Sequence, residues 1–181
     1  MAVDLSSTYF ELFALPQTFQ VDLELLDARY RDLQRTVHPD RFVNATDLER
    51  RLSMQQATRI NEGYRTLRDP LKRGRYLLEL RGYSFDDEHH TTSDAAFLME
   101  QMELREALAE VRGADDPFSI LAGIMDRIAA DFDDLTGELQ ARLDNAHENG
   151  PAADTLVKMQ FFRRLNEEAQ ELEAALEDEL D

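Results

Sequence analysis

Cysteine is absent from the 181 residues. Its absence removes a disulfide framework, a thiolate nucleophile, a zinc finger and a thiolate-held iron–sulfur cluster from the chain's own chemistry. Residues 1–10 lack a basic n-region, and apolar runs stop at about half a dozen residues, far short of the ~20 that a spanning helix needs. A cytoplasmic protein of a reducing compartment, with no membrane partner, is expected. Asn44-Ala45-Thr46 matches a glycosylation sequon, but without a secretion signal the match carries no weight. Strand signals are also missing. No β-branched alternation of useful length occurs, and apolar residues recur at spacings of three and four, so the expected fold is all-α.

Basic side chains are few beside acidic ones, 20 against 38, giving a formal net charge of −18. The imbalance is uneven. Residues 1–75 hold 12 Lys/Arg and 11 Asp/Glu, whereas residues 76–181 hold 8 and 27, so the second region alone carries −19. Such a surface repels phosphate backbones, which argues against a nucleic-acid partner. Solubility accounts for much of the acid but not for the near-neutral first part, so two regions with different partners are expected.

Punctuation along the chain supports that division. Thr8 and Glu11 have capping-box spacing for a short helix that Pro16 stops. A second helix starts near Asp22, with Leu23, Leu26, Tyr30, Leu33 and Val37 as its inward stripe, and Pro39 ends it at about Val37 or His38. Thr46 and Glu49 open a third helix whose stripe is Ala57, Ile60, Tyr64 and Leu67. These two helices form an antiparallel hairpin with His38-Pro39-Asp40 at its tip. Asp69-Pro70 starts a fourth helix that Gly82 ends. The polar stretch 82–93 reads as a connector. Three longer helices then share one core. The first spans about residues 94–112. The second starts at Asp116-Pro117 and carries Leu121, Met125, Ile128, Phe132, Leu135 and Leu139. Asn149-Gly150-Pro151 breaks the chain, and the last helix carries Phe162, Leu165, Ala169, Leu172 and Leu176. The expected organisation is a first domain over 1–75, a connector over 76–93 that includes a helix end, and a three-helix bundle over 94–181.

Catalytic constellations are lacking. There is no phosphate-binding glycine loop, no nucleophile elbow and no His-Glu-x-x-His. The pairs Asp86/Asp87, Asp115/Asp116 and Asp133/Asp134 have no neighbour that would separate their pKa values. Glu88-His89-His90 could touch a stray metal ion, but adjacent loop residues fix no coordination geometry. No catalytic residue, metal site or cofactor is expected.

The informative motif is His38-Pro39-Asp40. Ahead of it, Arg31, Arg35 and His38 fall on the helix face away from Leu26, Leu33 and Val37, because offsets of four and seven return to one side. A basic ridge leading to an exposed corner suits docking onto an acidic groove. With this tip, residues 9–75 resemble a J-domain, the module by which co-chaperones engage a DnaK-type ATPase. Leu67-Arg68-Asp69-Pro70, Arg75-Tyr76-Leu77-Leu78 and the run from Phe97 to Glu106 extend the resemblance over essentially the whole chain to the HscB family, J-type co-chaperones of iron–sulfur cluster biogenesis.

That resemblance implies that the first region binds the chaperone HscA and stimulates its ATP hydrolysis, with no hydrolysis by the chain itself. Asp40 would pair with an arginine of the ATPase, His38 and Pro39 would shape the loop, and Arg31, Arg35 and Arg41 would supply positive charge. The second region would hold the cluster scaffold IscU and deliver it. Neither the Cys-rich segment nor the targeting peptide that eukaryotic relatives often add is here, which implies the bacterial cytosolic form.

The residues of the second region point the same way. Phe97, Leu104, Leu108 and Val111 can fill the core stripe of the helix that starts near Asp94, leaving Leu98, Met99 and Met102 off it. Phe161 lies about 100° from the core residue Phe162 and shares a side with Val157. If the two helices are neighbours, Leu98, Met102 and Phe161 form an exposed apolar patch edged by Glu103, Glu106 and Glu110, which a partner would bury. By resemblance, the family's scaffold-binding surface maps onto these positions, Met99 included. The rival reading is an acidic all-helical assembly or scaffold protein with no chaperone partner. The sequence leaves the oligomeric state open.

Overall fold

The computed structural model describes residues 7–38, 46–83, 92, 94–145 and 147–179, and every regular element among them is helical. The chain divides into two compact units, Met1–Gly82 and Tyr83–Asp181.

The first unit contains α1 (Tyr9–Leu12), α2 (Leu23–Thr36), α3 (Asp47–Arg68) and α4 (Pro70–Leu80). Each start follows from a side chain that satisfies otherwise unpaired backbone N–H groups. Thr8 and Glu11 close a reciprocal capping box, as do Thr46 and Glu49, and Asp22 and Asp69 cap α2 and α4. α2 and α3 run antiparallel, since Asp27, Tyr30 and Val37 meet Tyr64 and Arg68, Asn61 and Tyr64, and Ser53 in reverse order. The Tyr30 and Tyr64 rings stack at 4.0 Å, and the Tyr30 hydroxyl donates to Asn61 Oδ1 at 2.9 Å. Leu26, Ile60, Leu67 and Leu78 are fully buried in this unit together with Phe10 and Phe13. Each such side chain stabilises the fold by about 1.5–3 kcal/mol. Leu23 departs from the expected stripe, being 43% exposed. It is the first residue of α2, where a helical side chain leans back beyond the helix start and past its partner. α4 continues to Leu80 and buries Leu77 and Leu78, so the first unit's core extends beyond residue 75, and Gly82 at φ +73° turns the chain away.

The second unit contains α5 (Ala95–Glu110), a 3₁₀ turn (Val111–Gly113), α6 (Pro117–Leu143) and α7 (Asn149–Asp178). Its core joins Phe97, Leu104, Leu108 and Val111 to Leu121, Ile124 and Ile128 of α6 and to Phe162, Leu165, Ala169 and Leu176 of α7. Met125, Phe132, Leu135 and Leu172 pack on that core only partly buried. Near the α6–α7 connection the buried Thr155 hydroxyl donates to Glu138 Oε1 at 3.0 Å, and Arg142 Nε donates to the same oxygen at 2.9 Å. Asn149-Gly150-Pro151 is not a break but the first turn of α7. A proline there loses no helical bond, because the first N–H groups of a helix have no partner within it.

Candidate partner-binding surfaces

On α2, Arg31 and Arg35 are exposed on the side opposite the buried Leu26 and Val37, and His38 follows immediately, also exposed. The base of the tip is fixed: Ser53 Oγ of α3 donates to the Val37 carbonyl at 3.2 Å in a buried position. Arg35 reaches Asp32 at 3.3 Å with both side chains mostly in solvent, a pair that holds the arginine weakly. Pro39, Asp40 and Arg41 lie outside the described residues, as does Glu88-His89-His90. Among the described residues no group of three or more His, Asp or Glu side chains is arranged to hold a metal ion. No described helix is long and apolar enough to cross a membrane.

α5 is built to expose apolar side chains. Asp94 caps it, accepting from Ala96 and Phe97 N–H at 3.1 and 3.2 Å, and takes the Lys158 ammonium of α7 at 2.6 Å. Lys158 above all, and then the Phe97 and Ala96 N–H groups, hold the Asp94 carboxyl below the usual aspartate range. With the helix thus fixed, Leu98 is 42% exposed, Met102 63% and Met99 64%, so Met99 is not core. Glu103, Glu106 and Glu110 are exposed as well.

The two edges of α5 differ. Arg105, one heptad beyond Leu98 and three residues past Met102, lays its guanidinium over the Phe161 ring at 5.5 Å, so the Leu98–Met102 edge leans toward α7. Phe161 itself is half-buried, edge-on to Phe97 at 5.7 Å and to Phe162 at 5.4 Å. It therefore contributes to the core as well as to the surface beside Arg105. The opposite edge faces α6. There Met99, Glu100 and Glu103 line a cleft of about 590 Å³ with Arg127, Asp131 and Asp134. Arg127 Nη2 donates to Glu100 at 2.7 Å. Burial first, and the Glu100 charge second, push the Asp131 carboxyl above the usual range. Sequence reasoning missed this cleft because Glu100 and Arg127 belong to different helices and no local spacing links them.

Similarity to known proteins extends over nearly the whole chain. The model of the HSCB C-terminal oligomerisation domain matches residues 93–180. The co-chaperone protein HscB homolog of Shewanella sp. strain ANA-3 is 43% identical over 172 residues, which cover 94% of this chain and 99% of the relative. The chain belongs to the HscB co-chaperone family. The HscB homolog of Aromatoleum aromaticum is 42% identical over 98% of this chain and 99% of its own length. Among solved structures, chaperone HscB from Vibrio cholerae superposes with a TM-score of 0.82 at 39% identity, covering 94% of this chain and 99% of that one. Human co-chaperone HscB gives 0.86 at 32%, covering 96% and 85%. Jac1 from Saccharomyces cerevisiae, at 21% identity and 0.71, shares the fold. A co-chaperone of the HscB family has a chaperone as partner.

Proposed function

We propose that this HscB-family chain binds the DnaK-type chaperone HscA through its first unit, stimulates ATP hydrolysis there, and uses its second unit to deliver the iron–sulfur scaffold IscU. Arg31, Arg35, His38, Pro39, Asp40 and Arg41 form the chaperone-binding tip. Leu98, Met99, Met102 and Phe161, with Glu103, Glu106 and Glu110, form the scaffold grip. The observation that carries this reading is the exposure of Leu98, Met99 and Met102 on one well-capped helix of a chain that matches HscB co-chaperones over nearly its full length. Exposed apolar side chains on a helix whose core stripe is already complete are what a partner covers. The methionines supply adaptable contact, and the glutamates favour a basic partner surface. Delivery follows from tethering: holding the client on one unit and the ATPase on the other raises their effective concentration toward each other.

The oligomerisation named by the family model is read here as association with that client, because a second region carrying −19 repels its own copies. Phosphate release from HscA tests the reading. The chain accelerates it, IscU adds to the acceleration, and His38→Gln removes the chain's effect while leaving IscU binding intact. Loss of both activities together in His38→Gln contradicts the division of labour.

A further inference from the structure

The α5–α6 cleft has chemistry that the tip and the Leu98–Met102 edge do not use. Phe97, Leu135 and Phe162 give it apolar walls, and Glu100, Glu103, Asp131 and Asp134 surround them. Two cations line it. Lys158 is committed to Asp94 at 2.6 Å. Arg127 donates to Glu100 at 2.7 Å, while its Nε stands 3.8 Å from Asp131 Oδ2, beyond hydrogen-bond reach. That Asp131 oxygen is sealed from solvent and has no hydrogen bond from any described residue. A buried acceptor left without a donor costs more than a formed bond returns, so a further donor entering here gains twice. Four carboxylates thus face one available arginine over an apolar floor.

We propose that this cleft receives a lysine or arginine side chain of the protein that docks on α5, and that Arg127 is the placeholder it displaces. The incoming alkyl stem packs on Phe97 and Leu135, and its charged head takes up Asp131, Asp134 and Glu100. The idea rests on the reading of α5 as the client-binding helix and extends that surface across it, since Met99 and Glu103 lie both on the exposed face and on the cleft wall. A long cationic side chain suits such a site because its stem is apolar and only its tip is charged.

The sign of one substitution separates this role from a structural one. Arg127 is exposed, so its removal costs the fold no more than its ion pairs with Glu100 and Asp131, and it vacates the carboxylates. Titrated calorimetrically with purified IscU, the full-length Arg127→Ala chain binds about threefold tighter, the scale of one partly exposed ion pair, and Arg127→Gln behaves alike. Asp131→Asn with Asp134→Asn binds about threefold weaker by the same measure, and both differences close at high salt. Replacing the lysines and arginines of IscU by alanine one at a time, each against Asp131→Asn, identifies the entering cation as the position whose effect is not additive. Unchanged or weaker binding by both Arg127 variants overturns the proposal. Full-strength binding by Leu98→Ala with Met102→Ala instead overturns the client-binding reading itself.

Discussion

Asp94 joins α5 and α7, capping α5 while holding Lys158 of α7. Its carboxyl lies below the usual aspartate range, so the ion pair contributes stability that is fully present above that range and is lost as pH falls through the lowered value. Urea melts should show wild type more stable than Asp94→Asn at neutral pH, with the gap closing in acid. A gap independent of pH contradicts the assignment. Phe161 calls for a different expectation from Leu98 and Met102. Leu98→Ala and Met102→Ala should weaken IscU binding, by ~1–2 kcal/mol for each side chain that acts as an anchor, with melts unchanged. Phe161→Ala should also lower stability by about 1–2 kcal/mol, because its ring lies edge-on to Phe97 and Phe162. The sequence could place Phe161 beside the core stripe. It could not reveal that Phe161 packs edge-on against Phe97 of α5, which widens the buried face of α7 beyond one stripe.

Helix starts were legible because they depend on neighbours in sequence. The boxes at Thr8/Glu11 and Thr46/Glu49 and the caps at Asp69 and Asp116 stand where spacing put them. The start of α7 was not, since Asn149-Gly150-Pro151 signals a break equally well before a helix and within its first turn. Close contacts between elements were also out of reach. α1 lies so near α3 that a Cβ on Gly63 would stand 2.8 Å from Tyr9 Cδ1 and 3.1 Å from Phe13 Cε2. Gly63→Ala should therefore destabilise the first unit by about 1–3 kcal/mol in chemical denaturation, the usual cost of overpacking, while IscU binding by the second unit is kept. An unchanged melt contradicts the seating of α1 on α3.

In the whole molecule, one chain joins a near-neutral unit with a basic face on α2 to a strongly acidic bundle with exposed leucine and methionines. The all-α class and both helical regions followed from hydrophobic period and punctuation alone, whereas the α5–α6 cleft required the packed structure. The account's central claim is that one tip drives another protein's ATPase while a separate surface brings the client. Phosphate release by HscA tests it most directly, measured with the wild-type chain, with His38→Gln, and with Leu98→Ala combined with Met102→Ala, each with and without IscU. The account predicts acceleration by wild type that IscU enhances, none by His38→Gln, and acceleration by the α5 variant that IscU no longer enhances through it. Equal rates with and without the wild-type chain would contradict it.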